Sequence, residues 1–350
     1  VFRALPEDIT VRCTLSWKGL KLPFRLLGRY RTLQLHDWLT ARWLDSHAKE
    51  FDLVHCWPAA SLRTIRVARR HGIPCLLERP NAHTAYAFES SDEETQRLGI
   101  QLPANHDHAS NQALLAHEQQ EYAECDFLLS PSDFVAKTFI ERGTNPAKIL
   151  SHHYGFDEKK FHPDTRRQST HGLQVLYAGA CEPRKGLHYA LEAWTKSEAS
   201  KNGQFQICGS FVPGYAELLK PLLSHPTVKM LGQRDDIASI MRKSDILVLS
   251  SIEEGSALVT YEAMASGCVL LVSEASGAHC ENEFDALIHP LRAVETLRDH
   301  FNQMHHDRDQ LALFRQRSLA RSENLTWKDA GRKLLKCYQE AMVRKVSVSN

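Results

Sequence analysis

Apolar residues in this chain gather in short continuous runs rather than alternating with polar ones. Such runs stand at 51–57 (FDLVHCW), 73–79 (IPCLLER), 126–130 (DFLLS) and 149–154 (ILSHHY). More follow at 173–179 (LQVLYAG), 205–209 (FQICG), 227–231 (TVKML), 245–250 (DILVLS) and 268–273 (CVLLVS). Their lengths are those of strands, and continuous apolarity predicts strands covered on both faces. Stretches of helical length separate them, at 59–71, 110–123, 132–142, 186–198, 214–224, 235–243 and 257–266. The tail from about 291 to 343 reads as helix throughout. Strands alternating with helices predict parallel sheets with helices on both sides. The polar segment 157–172 (DEKKFHPDTRRQSTHG) lacks periodicity and carries Pro163 and Gly172, so two βα domains are expected to meet near residue 165.

Composition narrows the classes. A length of 350 residues favours two domains, and 43% apolar residues can fill two cores. Lys and Arg number 43 against 42 acids, a net charge of +1, which excludes a nucleic-acid binder acting through bulk charge. Any anion site must be local. Nine cysteines are scattered without a CxxC, several inside apolar runs, which predicts reduced thiols and a cytoplasmic setting. No apolar run approaches the ~20 residues of a membrane helix, and no signal peptide is visible. The first residue is Val1, and a truncated N-terminus is expected.

In open parallel sheets, ligands bind beyond the carboxyl ends of strands. After the run at 245–250 the chain reads EEGSALVTYE (253–262). Gly255 permits a tight turn, and the amides of Ser256, Ala257 and Leu258 open a helix, which is a ready anion site. Glu254 stands in the loop and Glu262 lies within the helix. Two carboxylates flanking a phosphate site suit a ligand built as sugar, phosphate, sugar, because each can accept two hydroxyl hydrogen bonds. The plain alternative is that glutamates near a helix start favour the helix dipole. After the run at 173–179 comes AGACEPRKGL (178–187), with Arg184 and Lys185 suited to a diphosphate. No GKS or GKT follows, so it is not a P-loop. A solvated basic turn is the alternative there.

These residues together resemble the family 4 retaining glycosyltransferases, which have the GT-B fold. EEGSALVTYEAMASGCVLLVSEASGA is similar to the family's E-x7-E signature, with Glu254 and Glu262 as the two acids. YAGACEPRKGLHYALEAW resembles its diphosphate-holding strand, loop and helix. HHYGFDEKKFHP (152–163) resembles the domain-crossing segment, LGQRDDI (231–237) the loop near the nucleotide base, and TWKDAGRKLLKCYQEAM (326–342) the final helix. The resemblance implies two Rossmann-like domains facing across a cleft. Residues 1–160 would bind acceptor and lack their first strand, 161–325 would bind donor, and the helix 326–350 would return to the first domain. It implies a nucleotide-diphosphate sugar donor, UDP- or GDP-linked, a hydroxyl acceptor, and no cofactor or metal. Polysaccharide, lipopolysaccharide or glycoconjugate synthesis is the expected setting.

The implied roles fall on named residues. Lys185 neutralises the diphosphate, with Gly179 and Arg184 beside it. Glu254 faces the transferred sugar, with Gly255, Ser256, Ala257 and Leu258 offering amides. Glu262 binds the ribose and Gln233 lies near the base. His83, in LLERPNAHT, matches a position where the family often has a His near the donor sugar. One departure stands out: the family usually has Arg after the glycine of the basic loop, and here that position is Ala180. Arg184 is expected to compensate.

Several other features carry their own expectations. Segment 15–44 holds six Lys or Arg and one acid among aromatic residues, which suits peripheral contact with the inner face of a membrane. A packed helix with a solvated basic face is the alternative. HEQQE (117–121) lacks the second His of HExxH and is expected on an exposed helix. His106 and His108 in NHDHAS, His152 with His153, and His305 with His306 have no Cys or carboxylate at ligand spacing, so no metal site is expected. Cys181 has no readable triad partner. Two rival readings remain: a GT-B sugar-nucleotide epimerase, and a non-catalytic nucleotide-sugar-binding subunit.

Overall fold

A computed structural model describes residues 9–17, 20–21, 28–103, 106–164 and 172–349. The centre of the basic aromatic segment (18–19 and 22–27), Asn105 of NHDHAS and 165–171 of the expected linker lie outside the described residues. The chain divides into two compact units. One comprises Val1–Glu78, Gln112–Leu128 and Glu340–Asn350, and the other Arg79–Asn111 and Leu129–Gln339.

After a short antiparallel pair, Ser16–Trp17 with Leu20–Lys21, come α1 (Arg29–His47), β1 (Val54–Cys56), α2 (Leu62–Arg70), β2 (Cys75–Glu78), α3 (Thr84–Leu98), α4 (Gln112–Glu124), β3 (Phe127–Ser130), α5 (Asp133–Ile140) and β4 (Ile149–Ser151). The strands form a sheet in the order β1-β2-β3-β4, with β1 and β2 parallel. Two buried carboxylates fix the start of α2. Asp37 accepts from the amides of Arg63 (2.8 Å) and Thr64 (2.9 Å), and Glu121 from those of Ala59 and Ser61, both 2.8 Å. Answering the free amides of a helix start with buried anions satisfies both groups. This corrects the expectation for HEQQE: His117, Glu118 and Glu121 are buried on α4.

The later elements are β5 (Gln174–Ala178), α6 (Leu187–Thr195), β6 (Gln204–Cys208), β7 (Val228–Met230), α7 (Ile237–Lys243), β8 (Ile246–Leu249), α8 (Leu258–Ala265), β9 (Val269–Ser273), β10 (Ala286–His289), α9 (Val294–His306), α10 (Arg308–Ser322) and α11 (Trp327–Ser349). Their strands form one parallel sheet in the order β10-β9-β8-β5-β6-β7. Strand order reverses between β5 and β8, so the connections leaving those two strands part to opposite faces. The crevice between them is the expected ligand position of a doubly wound sheet. The core beneath is anchored by Trp194, which meets Phe301 edge-on at 5.5 Å and donates Nε1–H to Thr227 Oγ1 (3.0 Å).

Several expected boundaries shift. The tail is three helices rather than one: Asp307 caps α10 through Gln310 N (2.8 Å), and Thr326 accepts from Asp329 N (3.3 Å) at the start of α11. Residues 214–224 form two single turns, Tyr215–Leu218 and Lys220–Leu223, with Pro221 at the start of the second. The strand at 149 stops at Ser151. Helix α3 and strand β10 were not expected at all.

Candidate functional site

The groups described here belong to the second unit. The basic loop after β5 is pressed against the exit of β8. Gly186 has φ +64°, and a Cβ there would lie 1.9 Å from the Ser250 carbonyl oxygen, so only glycine fits. The Ile252 amide donates to the Arg184 carbonyl (2.7 Å), which zips the two loops together. This contact brings Lys185 and Glu254, 69 positions apart, into a direct ion pair, Nζ donating to Oε1. Ser251 Oγ donates to the same carboxylate (3.3 Å). Burial, with the adjacent Arg184 guanidinium, pulls the Lys185 ammonium down to about 7.

The loop EEGS is locked from two sides. A Cβ on Gly255 would meet the Pro80 carbonyl oxygen at 1.6 Å, and one on Gly277 the Gly255 oxygen at 2.1 Å. Ser132 Oγ donates to the Gly255 carbonyl (2.6 Å). Glu253, fully buried, accepts from the Ala82 amide (3.2 Å) and from Arg184 Nη1 (3.2 Å), which also donates to its carbonyl (2.8 Å). Arg184 Nη2 pairs with Glu182 Oε1 (3.0 Å). Ser256 Oγ bonds Tyr261 OH (2.6 Å) and the Gly277 carbonyl (3.2 Å). Ala257 precedes α8 with no side-chain cap, and its amide reaches the Ser276 carbonyl at 3.4 Å. Leu258 opens the helix with an exposed side chain.

The structure thus brings together Glu254, Lys185, Arg184, Gly255 and Ser256. Gly179 adjoins them on the β6 side, where a Cβ on Gly209 would lie 1.8 Å from its oxygen. Glu262 is part-buried on α8. Burial pushes its carboxyl up to about 7, with Lys160 pulling the other way. Gln233 is exposed on the loop after β7. Among the described residues, no hydrogen bond or ion pair joins Glu262 or Gln233 to the Lys185–Glu254 pair. His83 caps α3, its Nδ1 accepting from the Ala85 amide (3.1 Å), and its ring lies 5.0 Å from that of Phe139.

Arg184 is engaged by Glu182, Glu253 and the Glu253 carbonyl, so its guanidinium braces the loop. Cys181 is buried, and burial pushes its thiol up to about 12, which keeps it protonated and unreactive. Sequence reading missed Glu182, Glu253, His106 and His108. His106 Nε2 bonds Glu182 Oε2 (2.9 Å), and His108 Nδ1 lies 3.9 Å from Glu253 Oε2. Their carboxylate companions are distant in sequence, and no spacing rule could have found them.

Residues 172–307 match the sequence family described as glycosyl transferases group 1. The UDP-Gal:alpha-D-GlcNAc-diphosphoundecaprenol alpha-1,3-galactosyltransferase of Escherichia coli is 24% identical over 270 residues, 71% of this chain. The match spans 65% of that relative's length, just under two thirds. Among solved structures, Anabaena HepE in complex with UDP superposes with a TM-score of 0.67 at 16% identity, over 86% of this chain and 82% of its own. The same protein in complex with UDP-glucose gives 0.65 at 16% identity, over the same shares. Sucrose-phosphate synthase from Thermosynechococcus elongatus gives 0.67 at 17% identity, over 94% of this chain and 82% of its own. Together with the two parallel sheets, these likenesses establish the α/β GT-B fold.

Proposed function

We propose that this chain is a retaining glycosyltransferase that moves a sugar from a nucleotide-diphosphate sugar to a hydroxyl acceptor. The observation that carries the reading is the Lys185–Glu254 ion pair at the switch point between β5 and β8, inside the segment that matches the family. Lys185 exchanges Glu254 for the donor diphosphate. Glu254, released, accepts hydrogen bonds from the transferred sugar. Amides at the start of α8 stabilise charge on the leaving diphosphate, where positioned donors help most. Glu262 ionises on accepting the two ribose hydroxyls, and Gln233 faces the base. His83, at the start of α3, lies near the donor sugar. The leaving phosphate takes the acceptor proton on the same face, which retains configuration and asks for no metal.

UDP is favoured as the nucleotide, because the curated relative is named for UDP-Gal and HepE was solved with UDP and UDP-glucose. The acceptor belongs to polysaccharide, lipopolysaccharide or glycoconjugate synthesis, bound by the N-terminal domain. The protein works at the cytoplasmic face of a membrane, touching it through segment 15–44. Within the described residues of that segment, Arg31, Trp38 and Arg42 share an exposed face of α1.

The test is thermal unfolding with UDP, GDP, UDP-glucose and UDP-galactose, for wild type and Glu262→Ala. A ligand bound only by the folded state raises the melting temperature by an amount set by its affinity. Stabilisation by the uridine ligands, lost in Glu262→Ala, is expected. Absence of a shift with any nucleotide refutes the reading. A second reading, a nucleotide-sugar-binding subunit without catalysis, is favoured by Ala180 and by both cations of the basic loop being already paired with carboxylates. Such a subunit would bind the donor yet neither transfer nor hydrolyse it.

A further inference from the structure

The carboxylates around the basic loop outnumber its fixed cations. Glu182, Glu253 and Glu254 face Arg184 and Lys185, and each cation is already bonded to a carboxylate. A nucleotide-sugar diphosphate brings two further negative charges, which a cluster with a net charge of −1 does not attract. Positive charge has to appear as the ligand arrives, and protons can supply it.

Two imidazoles are built into this cluster from the segment joining α3 to α4. His106 Nε2 bonds Glu182 Oε2, and its Nδ1 accepts the His108 amide (3.2 Å). That acceptor role leaves Nε2 as the ring atom that donates to Glu182. His108 differs. Its ring is largely buried, and no hydrogen bond to a ring nitrogen fixes a tautomer among the described residues. Arg184 and Lys185 face it from the basic loop, Glu253 from the loop after β8, and His106 from its own segment. Burial, Arg184, His106 and Lys185 together pull the His108 imidazole down to about 2, so it is neutral as described.

We propose that His108 is a donor-binding residue that takes up a proton as the diphosphate binds, giving the site the positive charge that its paired cations do not. The diphosphate offsets the charge of Arg184 and Lys185, which add to burial and His106 in holding His108 neutral. Nδ1–H then faces the Glu253 carboxylate, and Nε2–H is free to donate to a phosphate oxygen. Donor binding is therefore proton-linked, tighter at acid than at alkaline pH. The inference rests on the nucleotide-sugar reading given above.

The test is calorimetric titration with UDP-glucose, whose diphosphate is esterified at both ends and does not titrate near neutrality. Measurements at about pH 6.5 in two buffers of different ionisation enthalpy give the protons taken up. Lys185 gains and Glu262 loses protons in the same range, so the readout is the difference between wild type and His108→Asn. Wild type is expected to take up between roughly half and one more proton, and to gain up to about tenfold more affinity per pH unit on acidification. Ala180→Arg, a surface change beside the loop, is expected to shrink the uptake of the otherwise wild-type protein by adding a fixed cation. It keeps the idea testable if His108→Asn fails to fold. Equal proton uptake in wild type and His108→Asn, or in wild type and Ala180→Arg, overturns the role of His108. Failure of UDP-glucose to bind wild type at any pH overturns instead the function on which it rests.

Discussion

Replacing Glu253 by Gln should cost far more stability than the same change at its neighbour Glu254. Glu253 is fully buried and pairs with Arg184, whose side chain is 11% exposed. Arginine cannot shed its proton, so loss of the carboxylate leaves a buried cation with less compensation. Removing one partner of a buried pair costs about 3–5 kcal/mol, and the surviving Glu182 contact at 3.0 Å puts this case near the lower end, about 3 kcal/mol. At roughly 2–4 °C per kcal/mol for a unit of this size, the melting temperature should fall by about 6–12 °C. Glu254 pairs with Lys185, which burial already holds at about 7 and which can deprotonate when its partner is lost. At about pH 8 that change should cost less than about 1 kcal/mol. Thermal and urea unfolding of both variants at that pH would measure the contrast. Equal losses, or a Glu253→Gln protein melting within about 1 °C of wild type, would refute the division into one structural and one ligand-facing glutamate.

Two further outcomes are expected. His289 is buried, both its ring nitrogens lack a hydrogen-bond partner among the described residues, and burial with His300 pulls it down to about 3. The unfolded chain binds the proton first, so stability falls as pH drops below about 6.5, by about 2 kcal/mol at pH 5. His289→Leu should therefore raise the melting temperature more at pH 5 than at pH 8, and an equal change at both would count against this account. For the membrane contact, co-sedimentation should favour anionic over neutral vesicles. Arg42→Ala should weaken it by about 1 kcal/mol, roughly fivefold. Equal partition into both vesicle types would remove the proposal.

Much of the fold was legible because buried parallel strands announce themselves locally. LQVLYAG and CVLLVS need no knowledge of their neighbours to read as strands, and the glycines after them mark where the chain turns. What failed to show was local structure supported from elsewhere. Helix α3 (TAYAFESSDEETQRL) looks polar, yet Glu94 within it is buried; burial pushes its carboxyl up, and hydrogen bonds from His188, Tyr189 and Arg292 outweigh that and hold it down to about 2. HEQQE looks solvated, yet Glu121 answers amides 60 and 62 positions away.

The site divides in the same way. Sequence alone determined that an acid, a glycine and a helix start follow one strand, and that a basic pair follows another. Composition and order suffice for that, because a strand exit and a helix entry are set by the few residues around them. Only the tertiary structure decided which charge meets which. Glu253 and Glu254 are chemically identical neighbours, yet one turns to Arg184 and the Ala82 amide, and the other to Lys185. His106 and His108 join that cluster across long stretches of chain. Pairing of buried charges is fixed by desolvation and by distances of a few ångströms in space, and separation along the sequence records neither.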